Sequence, residues 1–352
     1  MEVAIAMKMG IIGFGGMGRW HQWLIESIDE LEIAGVWDID QNACEKAIER
    51  GLKVYQSQEE LLEQEEIEFV LIATPNDVHC SIAVAAMRAG KHVVCEKPVA
   101  MSSQELAEMW KVSEETGRFF TVHQNRRWDE DFLTVKKILD EQILGNVYRI
   151  ESRVHGSRGI PGDWRAQKQY GGGMVLDWGV HLLDQIMMLK EDTALTSVYA
   201  WITNVTNEDV DDGFTTLLTF ADGLQVLVEV GTSNFTNLPR WYVLGDNGTA
   251  ILNDFKPRGE IVRAQGMNET DIVPVQTAAG LTKTMAPRRD DTIFHEELPK
   301  AESDVRDFYR NVMDVIENGA EPIVKLPQVM RVMKLMELVF ESARTGEVMK
   351  YE

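Results

Sequence analysis

Short apolar runs alternate with amphipathic ones along the first third of the chain. Residues 8–12, 32–37, 69–73, 92–95 and 119–122 read as strands, and residues 17–28, 41–50, 78–89 and 103–116 carry the spacing of helices. Strands that alternate with helices in this way form a parallel sheet covered on both faces. The run Phe69-Val70-Leu71-Ile72-Ala73 is apolar throughout, as a doubly covered strand requires. After about residue 125 the texture changes. A helix over 128–141 leads through Gly145-Asn146 into a strand over 147–155, and the glycines 171–173 precede a helix over 175–189. Strand patterns follow at 198–203, 213–220, 224–230, 240–244 and 249–252. Asp222-Gly223 and Asp246-Asn247-Gly248 fall between paired runs and read as hairpin turns. Residues 253–300 read as loops, and helices over 303–318 and 327–344 close the chain. The expectation is an α/β protein: a doubly wound parallel sheet over residues 1–126, then an α+β domain over 127–352 built on a mostly antiparallel sheet.

Composition narrows the class. With 352 residues, 44% apolar and 26% charged, the chain has enough apolar material for a large globular core, and two domains are expected. The net charge of −22 argues against a nucleic-acid backbone or an anionic membrane as partner. It does not argue against an anionic cofactor, because local N–H groups and helix dipoles set that field. Cys44, Cys80 and Cys95 are an odd set with no CxxC spacing, read as reduced residues of a cytoplasmic protein, and zinc is not expected. No apolar run approaches the ~18 residues of a membrane span. The opening MEVAIAMKMG has neither a basic n-region nor a long apolar stretch, so it reads as a few loose residues and not a signal peptide.

The first βα turn carries chemistry. Gly13-Phe14-Gly15-Gly16-Met17-Gly18 lies between the first strand and first helix, and Asp38 ends the second strand twenty residues beyond Gly18. Strand, glycines, helix, strand and acid in this order form a dinucleotide-binding fingerprint. Gly13 permits the tight turn, Gly15 lets backbone N–H groups approach a pyrophosphate, and Gly18 lets the helix pack on the strand. Asp38 suits the two ribose hydroxyls of NAD and would repel a 2′-phosphate, so NAD is expected over NADP. Arg19 faces either phosphate or solvent.

Ligands of open α/β sheets sit beyond the carboxyl ends of the strands. The polar segments there are Thr74-Pro75-Asn76-Asp77-Val78-His79, Glu96-Lys97-Pro98 and His123-Gln124-Asn125-Arg126-Arg127. Lys97 follows an apolar strand and precedes a proline, a position from which it could polarise a carbonyl or lower a hydroxyl pKa. A solvated lysine paired with Glu96 is the alternative. Asp177, His181 and Asp184 fall at helical spacing on one stripe, where a carboxylate could orient a general-base imidazole. A polar helix face or a capped core histidine would give the same pattern. As a metal site the stripe lacks a fourth ligand.

The segments GIIGFGGMG (10–18), GVWDID (35–40), ATPNDVH (73–79), AGKHVVCEKPVA (89–100) and GGGMVLDWGVHLLD (171–184), with Asp163-Trp164-Arg165, resemble the Gfo/Idh/MocA oxidoreductases. The resemblance spans nearly the whole chain and is weakest over 253–300. It implies an N-terminal Rossmann domain, a C-terminal domain with a large open sheet that pairs copies into a homodimer or homotetramer, and a catalytic set of Lys97, Asp177 and His181. It also implies a cis Lys97–Pro98 peptide, an isomer found mainly before proline. Cofactor contacts are expected from Gly13, Phe14, Gly15, Gly16, Met17, Gly18, Asp38, Thr74, Asn76, His79, Glu96 and Lys97. Substrate contacts are expected from Lys97, Asn125, Arg127, His155, Trp164, Arg165, Asp177 and His181, with Trp128, Arg153, Arg158, Asn234 and Trp241 as further liners. The expected reaction is hydride transfer between a secondary alcohol of a sugar, polyol or glycoside and NAD. An NAD-dependent glycosidase, a sugar oxidoreductase that recycles its bound cofactor, and a non-catalytic dinucleotide-binding regulator are the competing readings.

Overall fold

The protein is described from a computed structural model covering residues 6–264 and 272–351. The segment ahead of residue 6, read above as loose, lies outside the described residues.

Five parallel strands form the first sheet: β1 (Met7–Ile12), β2 (Leu31–Trp37), β3 (Phe69–Ile72), β4 (His92–Cys95) and β5 (Phe120–Val122), in the order β2-β1-β3-β4-β5. The connecting helices are α1 (Gly16–Ile25), α2 (Gln41–Glu49), the short α3 (Gln58–Leu62), α4 (His79–Arg88) and α5 (Ser103–Thr116). The strand order reverses direction between β1 and β3, which places a crevice at their carboxyl ends. All four residues of β3 are buried, as its unbroken apolar run predicts. Helix α3 was not anticipated. Its signal is Ser57, an N-cap whose hydroxyl accepts from the Glu60 N–H.

The second half is built on a nine-stranded sheet. Its strands are β6 (Val147–His155), β7 (Leu195–Thr203), β8 (Gly213–Phe220), β9 (Gln225–Gly231), β10 (Trp241–Gly245), β11 (Gly248–Leu252) and β12 (Gly259–Ala264), followed later by β15 and β16. A separate hairpin, β13 (Val275–Thr277) with β14 (Gly280–Thr282), precedes β15 (Ile293–Glu296), and β16 (Met349–Lys350) adds the last edge. The order is β15-β12-β11-β10-β6-β9-β8-β7-β16, with β6–β9 the parallel pair and the other pairs antiparallel. Both predicted hairpin turns are present, with Gly223 at φ +90°. The loop reading of 253–300 is corrected: β12 and the edge strand β15 are short and half exposed, and their polar sequences GEIVRA and IFHE carry little apolar signal. Within that region, residues 265–271 lie outside the described residues.

Three helices, α6 (Glu130–Asp140), α7 (Val180–Leu189) and α9 (Leu326–Thr345), pack around the sheet's inner face and the first half. The inner face carries Val198, Leu218, Val228, Trp241 and Leu252, all buried. The outer face carries one register row of Tyr199, Leu217, Leu227, Glu151, Tyr242 and Ile251. Helix α8 (Arg306–Asn318) and α9 return to the parallel sheet: the Tyr309 hydroxyl reaches His21 of α1 at 2.7 Å, and the Thr121 hydroxyl donates to the Val324 carbonyl at 2.9 Å. Among the described residues no helix is long and apolar enough to cross a membrane.

Candidate active site

The glycine turn closes on β1 as steric necessity dictates. Gly13 has φ +94°, and a Cβ there would lie 2.6 Å from the Ala73 carbonyl oxygen. A Cβ on Gly18 would lie 2.3 Å from the Gly13 oxygen, whereas nothing stands within 4 Å of a Cβ on Gly15 or Gly16. The first and last glycines are therefore fixed by the fold, and the middle two border open space. That open cradle faces the N-terminus of α1, the geometry in which backbone N–H groups hold a phosphate. Asp38 stands at the end of β2, its Oδ2 accepting the Phe14 N–H at 2.6 Å and its Oδ1 accepting the Asp40 N–H at 2.8 Å. The residues present thus fit a dinucleotide. Phe14 corrects in part: its ring is wholly buried, so only its backbone faces the turn. Arg19 turns back to the Phe14 carbonyl at 3.4 Å.

Lys97 reaches across from the end of β4 to the second half. Its Nζ lies 3.1 Å from Asp177 Oδ1 and 3.1 Å from the Asp177 carbonyl oxygen. The Lys97–Pro98 peptide is cis. Arg165 Nε approaches the other Asp177 oxygen at 3.3 Å, and Asp163 holds Arg165 in turn at 2.9 Å. The loop carrying them is folded by its glycines: the Gly173 N–H donates to the Arg165 carbonyl, and Asn76 Nδ2 donates to the Gly171 carbonyl at 3.0 Å. Burial would push the Asp177 carboxyl up, but the charges of Lys97 and Arg165 bring it below the usual range, so it stays ionised.

The helix expected over 175–189 begins as a π-turn, Val175–Gly179, and only then becomes α7. Such insertions occur at functional sites because they re-aim side chains. The result corrects the stripe reading. Asp177 faces Lys97, and His181 is buried with Nδ1 lacking a hydrogen-bond partner among the described residues. Asp184 points elsewhere, accepting both prongs of Arg127 at 2.8 and 2.7 Å. No carboxylate among the described residues clamps the His181 ring; its neighbour is the Trp178 ring at 5.9 Å. Burial, then the charges of Lys97 and Arg126, hold His181 well below the ordinary imidazole range. It is neutral at pH 7.

A cavity of about 450 Å³ opens beside this cluster, lined by His155, Arg158, Arg165, Asp177 and Trp178 among others. His155 and Arg165 are therefore where a substrate would touch them, although both His155 nitrogens already have partners, Glu229 and the Leu238 N–H. Trp164 lies under the Arg165 guanidinium at 4.5 Å. Thr74 Oγ1 and Asn125 Oδ1 are buried without hydrogen-bond partners among the described residues.

Other expected contacts are structural. Arg127 is buried, with its guanidinium engaged by Asp184, Gln328 and the Ile323 carbonyl. His79 is fully buried and bridges the Pro98 and Thr74 carbonyls at 3.0 and 2.9 Å. Glu96 is buried between His21 and His123 and does not face the crevice. Trp241 is a core residue bonded to Asp131, Trp128 packs on Phe308, and Arg153 is held by Glu151 and Glu229 on the outer sheet face. The residue missed was Arg126, whose guanidinium stacks 4.2 Å over Trp178 and whose charge acts on His181. Arg126 and Arg127 are adjacent in one polar loop, and periodicity cannot separate them.

Residues 7–124 match the oxidoreductase family with an NAD-binding Rossmann fold, and residues 132–251 match the GFO/IDH/MocA C-terminal domain. A scyllo-inositol 2-dehydrogenase (NADP(+)) of Bacillus subtilis is 26% identical over 98% of this chain and 96% of its own. A glucose-6-phosphate 3-dehydrogenase of the same organism is 33% identical over 58% of this chain and 62% of its own. The solved structure of an NAD-binding protein from Listeria innocua superposes with a TM-score of 0.95 at 46% identity, over 99% of this chain and 100% of that one.

Proposed function

Since the chain belongs to the Gfo/Idh/MocA family of oxidoreductases, we propose that it moves hydride between a secondary alcohol of a sugar or polyol and NAD. The observation that carries this reading is the Lys97–Asp177 pair at 3.1 Å, placed between the glycine cradle and the cavity, with neutral His181 beside it. The bound nicotinamide supplies the hydride acceptor. His181 takes the hydroxyl proton on its imidazole, which is neutral and therefore able to accept it. The Lys97 ammonium stabilises the alkoxide as charge develops. Asp177 holds that ammonium in place, and Arg165 holds Asp177. A polyol ring fits the 450 Å³ cavity, and the stacked Trp178 and the polar wall suit its faces and hydroxyls.

Asp38 supports NAD as the partner, because a carboxylate so placed repels a 2′-phosphate. The inositol and glucose 6-phosphate relatives support cyclic polyols and hexose phosphates as the first substrates to test. The outer sheet face supports a homodimer or homotetramer: Trp201 is 43% exposed and Leu217 41% exposed beside Tyr199, an apolar surface that a second copy would cover.

The test is a panel of inositols, hexoses, hexose 6-phosphates and glycosides with NAD or NADP, followed at the NADH absorbance. NADH accumulation with a polyol or hexose and NAD is the expected result. Sugar release from a glycoside with no net NADH would replace the reading by a glycosidase. Dinucleotide binding without turnover of any member would favour a regulator.

A further inference from the structure

Behind the catalytic lysine lies a chain of four buried polar side chains drawn from four elements. The Tyr309 hydroxyl of α8 donates to His21 Nδ1 at 2.7 Å. His21 Nε2, on α1, lies 2.7 Å from Glu96 Oε1. His123 Nδ1, just past β5, lies 2.9 Å from the same oxygen. The other Glu96 oxygen accepts the backbone N–H of Lys97 at 3.1 Å. His21 and His123 are wholly buried and Glu96 is 4% exposed.

The protons can be assigned without conflict. A buried carboxylate accepts only, so both imidazoles must donate to it. His21 then has a lone pair at Nδ1, which Tyr309 fills. His123 has a lone pair at Nε2, and that atom has no partner among the described residues. One negative charge sits on Glu96, with both imidazoles hydrogen-bonded to the same oxygen. Burial raises the Glu96 carboxyl, yet the charge and hydrogen bonds of His123 and His21 hold it well below the usual range. Burial keeps His21 neutral, lowered to about 4.

The cluster has the composition of a metal site, but Tyr309 already occupies the outer nitrogen of His21, and the 2.7 and 2.9 Å separations are those of hydrogen bonds. What it does touch is function at both ends. His21 belongs to the helix that begins at the glycine cradle, and Glu96 grips the amide of Lys97. We propose that Glu96, with His21, His123 and Tyr309, is a positioning network that fixes the Lys97 backbone relative to the dinucleotide-binding helix, so that the lysine meets Asp177. The proposal rests on the assignment of Lys97 to catalysis.

The test compares His123→Asn with His123→Leu. The asparagine amide can donate from the place of Nδ1, whereas leucine fills the space and donates nothing. A packing role therefore favours leucine, and the positioning role favours asparagine. In crystals of the variants, Lys97 Nζ stays on Asp177 in the asparagine form and leaves it in the leucine form. In turnover of scyllo-inositol, myo-inositol or glucose 6-phosphate, leucine lowers kcat roughly tenfold or more, asparagine restores most of it, and the NADH dissociation constant from fluorescence is unchanged in both. Lys97 remaining on Asp177 in the leucine form, or equal loss in both variants, overturns the proposal. Should the leucine form not fold, Tyr309→Phe, which strips the outer donor from His21, is read by the same two measurements. Lys97→Ala separates the two claims: if it turns over normally the catalytic reading fails, and if it is dead while His123→Leu is fully active only the network fails.

Discussion

Gly18 lies against Gly13 so closely that a Cβ on it would come within 2.3 Å of the Gly13 carbonyl oxygen, while Gly15, three residues earlier, has nothing within 4 Å. The two glycines are thus required for different reasons. Gly18→Ala forces backbone apart and should lower the melting temperature as well as abolish dinucleotide binding. Gly15→Ala should melt as the parent does, yet lose about tenfold or more in NADH affinity, because the new methyl occupies the pyrophosphate's approach. Thermal melts paired with NADH fluorescence titrations check both. Wild-type affinity in Gly15→Ala would remove the cradle from the binding site.

Asp38 has two tasks that one substitution pulls apart. Its carboxylate ties the Phe14 N–H at 2.6 Å, and under the proposed NAD binding it faces the ribose. Asp38→Ala should weaken binding of both cofactors, because the turn loses its tether. It should also raise the NADP/NAD ratio of kcat/KM by about tenfold, because the repulsion of a 2′-phosphate disappears. The ratio is the diagnostic quantity: a fall in both activities at an unchanged ratio would leave Asp38 as a turn tether only.

In the proposed reaction His181 takes the proton and Lys97 steadies the alkoxide. Lys97→Ala should lower kcat by about 10²–10³-fold and His181→Ala by about 10²–10⁴-fold, with NADH binding retained in each. The pH profile carries a sharper test. An imidazole held well below its ordinary value of 6.5 is neutral, and so competent as a base, at every pH above its folded value. The acid limb of kcat/KM should therefore lie well below pH 6.5. An acid limb centred at 6.5 would show an ordinary histidine, exposed where burial was expected.

How much of this was legible depended on the range of the interaction. The glycine turn, Asp38 and β3 are dictated by local sterics or an unbroken apolar run, and their boundaries in the sequence and in the structure nearly coincide. The outer strands β12 and β15 were not legible, because an edge strand needs no apolar face and Arg263 and Glu296 pair across it. The π-turn at 175–179 was hidden as well: one extra residue per turn leaves composition untouched but shifts Asp177 relative to His181 and Asp184. The Tyr309–His21 contact joins residues 288 apart, beyond any periodicity. Arg127 and Arg126 show the limit most plainly, since only the position of Asp184 decides which of two adjacent arginines is buried.

That burial makes Arg127 a stability residue. It forms two bonds to Asp184, with both side chains about 2–3% exposed, and a third to Gln328 at 2.8 Å. Removing one partner strands a buried charge, at a cost of about 3–5 kcal/mol. Arg127→Met should unfold at markedly lower urea concentration. KM of whatever folded enzyme remains should be unchanged, since the side chain does not reach the cavity. A raised KM at unaltered stability would return Arg127 to the substrate site.

Asp211 makes stability depend on pH near neutrality. Its carboxylate accepts the Val175 N–H at 2.7 Å at the start of the π-turn. Burial drives its pKa up from 3.8 to about 7, against the opposing pull of that backbone N–H. The folded form therefore holds a proton that the unfolded chain has released, between about pH 4 and 7. Where the folded state binds more protons, stability falls as pH rises. The contribution is complete below the unfolded value and lost as pH passes through 7. Asp211→Asn keeps an oxygen for Val175 and removes the titration. The variant should gain on the wild type by roughly a few degrees in melting temperature between pH 5 and pH 8. A difference between the two proteins that stays constant over that range would mean that Asp211 ionises as an ordinary carboxylate, with water reaching it beneath the π-turn.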